Sequence, residues 1–251
     1  MNFNDKNILI TGGSTGIGFA TAQAFINAGA YVTITGKNEA NLMNAAREIN
    51  DSKLNTLVSD TASLEDIDVL AEIISKKGKK IDVLFLNAGV SKFASIETTS
   101  VADFDLQFNI NVRGLFFTLQ KMIPYLQEGA SVVFTSSATS TGSYSQLSTY
   151  SATKSAVDTI ARIAATELAD RNIRVNVISP GPIDTPILGK AMSKQEAKAT
   201  QDFYKTGGMI PLKKIGTTEE VANAVLFLSA DNSSFITGAS LSIDGGVALR
   251  R

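Results

Sequence analysis

The chain has 251 residues, 44% of them hydrophobic and 19% charged, with a formal net charge of −1 and neither histidine nor cysteine. That length suits one large domain, and the near-zero charge gives no global field for nucleic acid or an anionic membrane. The missing residue types exclude disulfides, thiolate nucleophiles, cysteine zinc sites and Ser-His-Asp triads, so proton transfer near neutral pH must use another group.

The N-terminal MNFNDKNILITGG runs straight into a strand-like segment with no leader pattern, and no apolar run approaches the roughly 20 residues of a membrane span. The chain reads as cytoplasmic. Short β-branched runs at 7–11, 31–35, 54–58, 81–86, 131–135, 173–178 and 240–243 alternate with helical patterns at 16–28, 38–50, 63–76, 101–127, 150–170 and 218–230. Ser63 before Asp66, Ser100 before Asp103 and Thr217 before Glu220 are cap signatures. Strands apolar on both faces, alternating with helices, predict an α/β Rossmann fold: one domain over 1–251, a doubly wound parallel sheet of seven strands with helices on both faces. Ligand chemistry is expected at the carboxyl ends of the strands. Lys76-Lys77-Gly78-Lys79-Lys80 reads as a solvated helix end, because cations suit helix C-termini. No clustered carboxylates suggest a metal.

Between the first strand and first helix, LITGGSTGIGFATAQAF places Gly12, Gly16 and Gly18 with Ser14, Thr15 and Ile17 between them. Glycines let backbone N–H groups approach a pyrophosphate whose charge suits a helix N-terminus. The spacing differs from G-x-G-x-x-G, so the strand–loop–helix context carries the reading. At the end of the second strand Gly36 is followed by Lys37, with no acid before Glu39. A carboxylate there would bind the ribose 2′-hydroxyl of NAD; Lys37 would attract the 2′-phosphate of NADP, which is favoured.

Pro180 to Leu212 breaks the rhythm, with Pro and Gly at both ends and apolar Ile187, Leu188, Met192, Phe203 and Tyr204 within. An insertion of this length, about 183–212, predicts a small substrate lid with an apolar underside. Tyr150 and Lys154 lie four residues apart, on one helix face. A neighbouring ammonium is expected to favour phenolate and lower a tyrosine pKa that begins near ~10.

These segments together resemble the short-chain dehydrogenase/reductases over nearly the whole chain. The resemblance rests on Thr11-Gly-Gly-Ser-Thr-Gly-Ile-Gly18, Asn87-Ala-Gly89, Asn111-Val-Arg-Gly114, Ser137, Tyr150-x-x-x-Lys154 and Pro180-Gly181, in that order. It implies a catalytic tetrad of Asn111, Ser137, Tyr150 and Lys154, in which Tyr150 donates a proton, Ser137 holds the carbonyl oxygen and Lys154 binds the nicotinamide ribose. It implies cofactor contacts from Asp60, Asn87, Gly89, Pro180, Gly181, Ile183 and Thr185, with Tyr144, Leu188, Met192 and Tyr204 as substrate pocket. Ser140 stands where many relatives have glycine.

The resemblance implies an NADP-dependent reductase of small ketones, reversible toward secondary alcohols, and a homotetramer built on the two long central helices, where Phe104, Phe108, Phe116 and Phe117 either join that interface or are buried within the subunit. A 3-oxoacyl-carrier-protein reductase is the alternative. It needs a basic docking face, for which Lys92 and Arg113 are candidates. A non-catalytic nucleotide sensor is the reading from another class, and retention of both Tyr150 and Lys154 argues against it.

Overall fold

The computed structural model describes residues 1–185, 194–206 and 210–249. Seven parallel strands form one sheet in the order β3-β2-β1-β4-β5-β6-β7: β1 Asn7–Ile10, β2 Tyr31–Gly36, β3 Leu54–Val58, β4 Ile81–Leu86, β5 Leu126–Thr135, β6 Arg174–Pro180 and β7 Ser240–Ile243. Pairing runs from Leu9 opposite Thr33 on one side of β1 to Leu9 opposite Leu84 on the other. The chain winds outward through β2 and β3, then returns to place β4 against β1. That reversal opens a crevice at the carboxyl ends of β1 and β4, where ligands of such sheets bind.

Strand side chains alternate between two cores, as period-two geometry requires. Leu9, Leu84, Leu86, Val132 and Phe134 pack on one face against Leu70 of α3 (Leu64–Lys76), Met122 of α5 (Leu115–Met122) and Val157 of α6 (Ser148–Glu167). Ile8, Ile10, Val83, Phe85 and Val133 pack on the other, against Phe25 of α1 (Gly16–Asn27), Leu42 of α2 (Glu39–Ile49) and Val225 of α8 (Thr218–Ser229). Phe25, Phe85 and Phe134 are fully buried, and each such side chain stabilises the fold by about 2–3 kcal/mol.

The three cap signatures are present. Ser63 accepts from Asp66 N, Ser100 from Asp103 N, and Thr217 and Glu220 form a reciprocal capping box. The expected helix over 101–127 is instead α4 (Val101–Phe108), a π-helical turn over Asn109–Gly114, then α5. Gly114 sits within this turn against Thr61, where a Cβ would lie 1.9 Å from the Thr61 carbonyl oxygen. β5 also starts at Leu126, inside that pattern. Of the expected lid, α7 (Lys194–Lys205) is described and Phe203 is 51% exposed. Leu188 and Met192 lie outside the described residues, as does the Tyr204 side chain.

Candidate active site

At the crevice Thr11 and Asn87 tie the two strand ends together. The Thr11 hydroxyl accepts from the backbone N–H groups of Asn87 (3.0 Å) and Ala88 (3.1 Å), while Asn87 Nδ2 donates to the carbonyls of Thr11 and Gly12. This closes the loop so tightly that a Cβ on Gly18 would lie 2.3 Å from the Gly12 oxygen. Gly12 and Gly16 have φ near +60°, which residues with a side chain rarely adopt.

The helix that follows begins without a side-chain cap. In α2, α3, α4 and α8 the side chain before the helix accepts a hydrogen bond from a first-turn N–H; Thr15 accepts none from α1, and no acid lies in its first turn. The leading N–H groups of α1 therefore face the crevice with their partial positive charge unspent. This is the donor set a pyrophosphate requires, so the residues present fit a dinucleotide.

A cavity of about 630 Å³ runs from this loop to Tyr150. Gly12, Ser14, Thr15, Gly16 and Ile17 line one end, with Lys37, Asn38 and Asn41 beside them at the end of β2. Asp60, Asn87 and Gly89 follow, then Pro180, Gly181, Ile183 and Thr185. Gly18 supports the loop from behind. Asp60 also has a local duty, its Oδ1 accepting from Ala62 N at 2.9 Å.

Ser137, Tyr150 and Lys154 converge at the far end. Ser137 follows β5 and its hydroxyl acts on the Tyr150 phenol, lowering its pKa, while its own oxygen accepts from Thr139 N and Oγ1. Lys154, one helical turn after Tyr150, is 3% exposed and donates from Nζ to the Thr135 carbonyl at 2.8 Å. Asn111 does not line the cavity. It is fully buried behind Gly89: Oδ1 accepts from Val90 N at 2.8 Å, and Nδ2 donates to Val90 O and Thr153 Oγ1. Through those bonds the π-helical turn ties Val90, the residue after Gly89, to Thr153 of α6.

The electrostatics correct one expectation. Burial pushes the Tyr150 phenol up to about 12, opposed only by the Ser137 hydroxyl. Burial likewise pulls Lys154 down to about 8, with the Asp158 carboxylate holding it up. Desolvation outweighs the attraction between amine and phenol, because Lys154 Nζ lies 5.6 Å from the ring centroid and spends its hydrogen bond on Thr135.

Tyr144 lines the cavity as expected. Burial first, then the charge of Asp244, pushes its phenol up. The sequence reading missed Ser91, whose hydroxyl is buried beside the cavity and has no hydrogen-bond partner among the described residues. Its place directly after Val90 in NAGVSK was the available signal. Leu106, Ile110, Leu147 and Val247 complete the apolar wall. Val247 had no local signal; only sheet topology brings the chain end there. Among the described residues no group of three potential metal ligands occurs, and no helix is long and apolar enough to cross a membrane.

The family model described as Enoyl-(Acyl carrier protein) reductase matches residues 12–248. The oxidoreductase asL5 of Sarocladium schorii is 35% identical over 97% of this chain and 96% of its own length. The 3-oxoacyl-(acyl-carrier-protein) reductase FabG of Thermotoga maritima is 34% identical over 99% of this chain and 100% of its own. The crystal structure of levodione reductase superposes with a TM-score of 0.91 at 30% identity, covering 100% of both chains. With an uncapped glycine-rich helix start at the switch point and an amine–phenol pair at the end of the same cleft, the chain belongs to the short-chain dehydrogenase/reductases, NAD(P)-using oxidoreductases that act on CH–OH and C=O groups.

Proposed function

We propose that this chain is an NADP(H)-dependent carbonyl reductase that converts small apolar ketones to secondary alcohols and runs in reverse as an alcohol dehydrogenase. The observation that carries the reading is the convergence of Ser137, Tyr150 and a buried Lys154 at the end of a cavity walled by Leu106, Ile110 and Leu147.

A nicotinamide held beside Lys154, Ile183 and Thr185 would supply hydride to the carbonyl carbon. Ser137 donates to the carbonyl oxygen and orients it, and Tyr150, protonated at neutral pH, gives that oxygen its proton as negative charge develops. Lys154 stabilises the phenolate left behind. Asn111 is a positioning residue that keeps the Val90 strand end against α6.

Lys37, Asn38 and Asn41 at the end of β2 support the 2′-phosphate, since no carboxylate stands there to repel it. The likeness to FabG favours one second reading, reduction of a carrier-linked 3-oxoacyl group, with Lys92 at the cavity rim and exposed Arg113 facing an acidic carrier. Exposed Phe104 and Phe116 on α4 and α5, with Ile163 on α6, support a homotetramer joined through those helices.

Parallel assays of aliphatic ketones, aryl ketones, a keto ester and a carrier-linked 3-oxoacyl thioester, each with NADPH and NADH, test the assignment. The proposal expects turnover of the small ketones with NADPH ahead of NADH. Carrier-linked substrate turned over at least tenfold better than the keto ester would move it to the second reading.

A further inference from the structure

At the opposite ends of the same strands lies a second cavity, of about 400 Å³, enclosed by the amino ends of β1 to β4 and the C-terminal end of α3. Lys53, Lys77, Lys79 and Lys80 line it, and no lining residue is a carboxylate. Lys53 and Lys79 both stand over the ring of Tyr31, at 5.5 and 4.8 Å from its centroid, which anchors both ammonium groups to one lining residue.

Their charges are not neutralised. Lys53 donates to the Gly29 carbonyl and Lys80 to the Pro124 carbonyl, bonds that satisfy donors but leave the charge in place. Among the described residues none of the four forms an ion pair. The nearby acids have other partners: Asp82 takes Lys6 and the Asn7 N–H, Glu72 takes Lys76, and Asp51 accepts from the backbone N–H of Lys53. The C-terminal end of α3 offers a partial charge of about −0.5, far less than four ammonium groups. Lys76, Lys77, Lys79 and Lys80 are all exposed, in keeping with a solvated helix end, while Lys77, Lys79 and Lys80 also line the cavity, where desolvation pulls the Lys77 ammonium below its ordinary pKa.

We infer that this cavity binds a small multivalent phosphate, with Lys53, Lys77 and Lys79 holding its oxygens. Lysines act as point charges suited to a compact, multiply charged anion, and no arginine fork lines the cavity to favour a planar carboxylate. The volume admits a diphosphate bearing a modest organic group.

The test is calorimetric titration of the full chain with pyrophosphate, and separately with inorganic phosphate, in the presence of saturating NADPH so that the dinucleotide cleft is already filled. Sodium chloride at matched ionic strength is the control. Saturable pyrophosphate binding is expected, stronger than that of phosphate and weakened at least about tenfold in Lys77→Ala/Lys79→Ala. Lys79→Arg keeps the charge and keeps binding. Unchanged NADPH affinity and melting temperature in the double variant show that its fold is intact. No saturable heat, equal affinity in the double variant, or a signal reproduced by sodium chloride would each overturn the inference.

Discussion

Lys154 donates its ammonium proton to the Thr135 carbonyl at 2.8 Å while standing 5.6 Å from the centre of the Tyr150 ring. The amine is thereby fixed against the end of β5, close enough to bias the phenol yet not bonded to it. Both groups are pushed toward their neutral forms by burial, Tyr150 to about 12 and Lys154 to about 8. A neutral phenol suits a proton donor, and an amine poised near neutrality responds strongly to a bound ligand's charge.

Burying the Lys154 ammonium costs stability. Its folded pKa is depressed, so the penalty is present in full below pH about 8 and fades as pH rises toward 10.5, the ordinary lysine value. Tyr150 acts oppositely: its raised pKa contributes stability that is lost as pH climbs from 10 through about 12. Lys154→Met is expected to stabilise the cofactor-free fold at pH 7 by about 1–2 kcal/mol, the desolvation gain less the lost bond to Thr135. Denaturant unfolding reads this, and turnover of the same variant should fall by at least about 10²-fold.

Asp158, one turn beyond Lys154, holds that amine up and has a buried Oδ1 without a partner among the described residues. Reductive kcat/KM is expected to stay level below pH about 8 and fall above it as Lys154 loses its charge. Asp158→Asn should move that inflection to lower pH. An inflection that stays in place would show that Lys154 does not govern the profile.

Most of the fold was legible because its signals are local. Alternating strands and helices gave all seven strands, and Ser63, Ser100 and Thr217 marked helix starts that the structure bears out. The π-helical turn was not legible: the apolar spacing through 101–122 continues across it, and the turn's close approach, Gly114 against Thr61, is distant in sequence. The motifs brought Ser137, Tyr150 and Lys154 to one place, as their order suggested. Their charge states could not be read from i, i+4 spacing, since desolvation depends on packing that only the folded chain supplies.

Ser91 presents an unpartnered hydroxyl at the cavity wall beside Val90. An unsatisfied buried hydroxyl costs about 1–3 kcal/mol, a cost relieved when a substrate or nicotinamide polar group meets it. Ser91→Ala should therefore leave stability unchanged or slightly higher while lowering kcat/KM about 3- to 30-fold for ketones carrying a second acceptor. Steady-state kinetics on matched substrates with and without that acceptor would separate the two cases.

Lys37 follows Gly36 at the end of β2, on the cavity wall. Lys37→Asp replaces attraction for the 2′-phosphate with repulsion and adds an acceptor for the 2′-hydroxyl. Preference, as the ratio of kcat/KM with NADPH to that with NADH, should fall by about 10²-fold, roughly 3 kcal/mol. A ratio unchanged by the substitution would place the discriminating group elsewhere.

The central claim is that a phenol carries the proton in a chain without histidine. Tyr150→Phe tests it most directly: ketone-dependent NADPH oxidation is measured alongside NADPH affinity in the same preparation. Ketone turnover should drop at least about 10³-fold while the cofactor still binds within about threefold of the parent chain. Ketone reduction persisting near the parent rate in a variant that binds NADPH normally would contradict it.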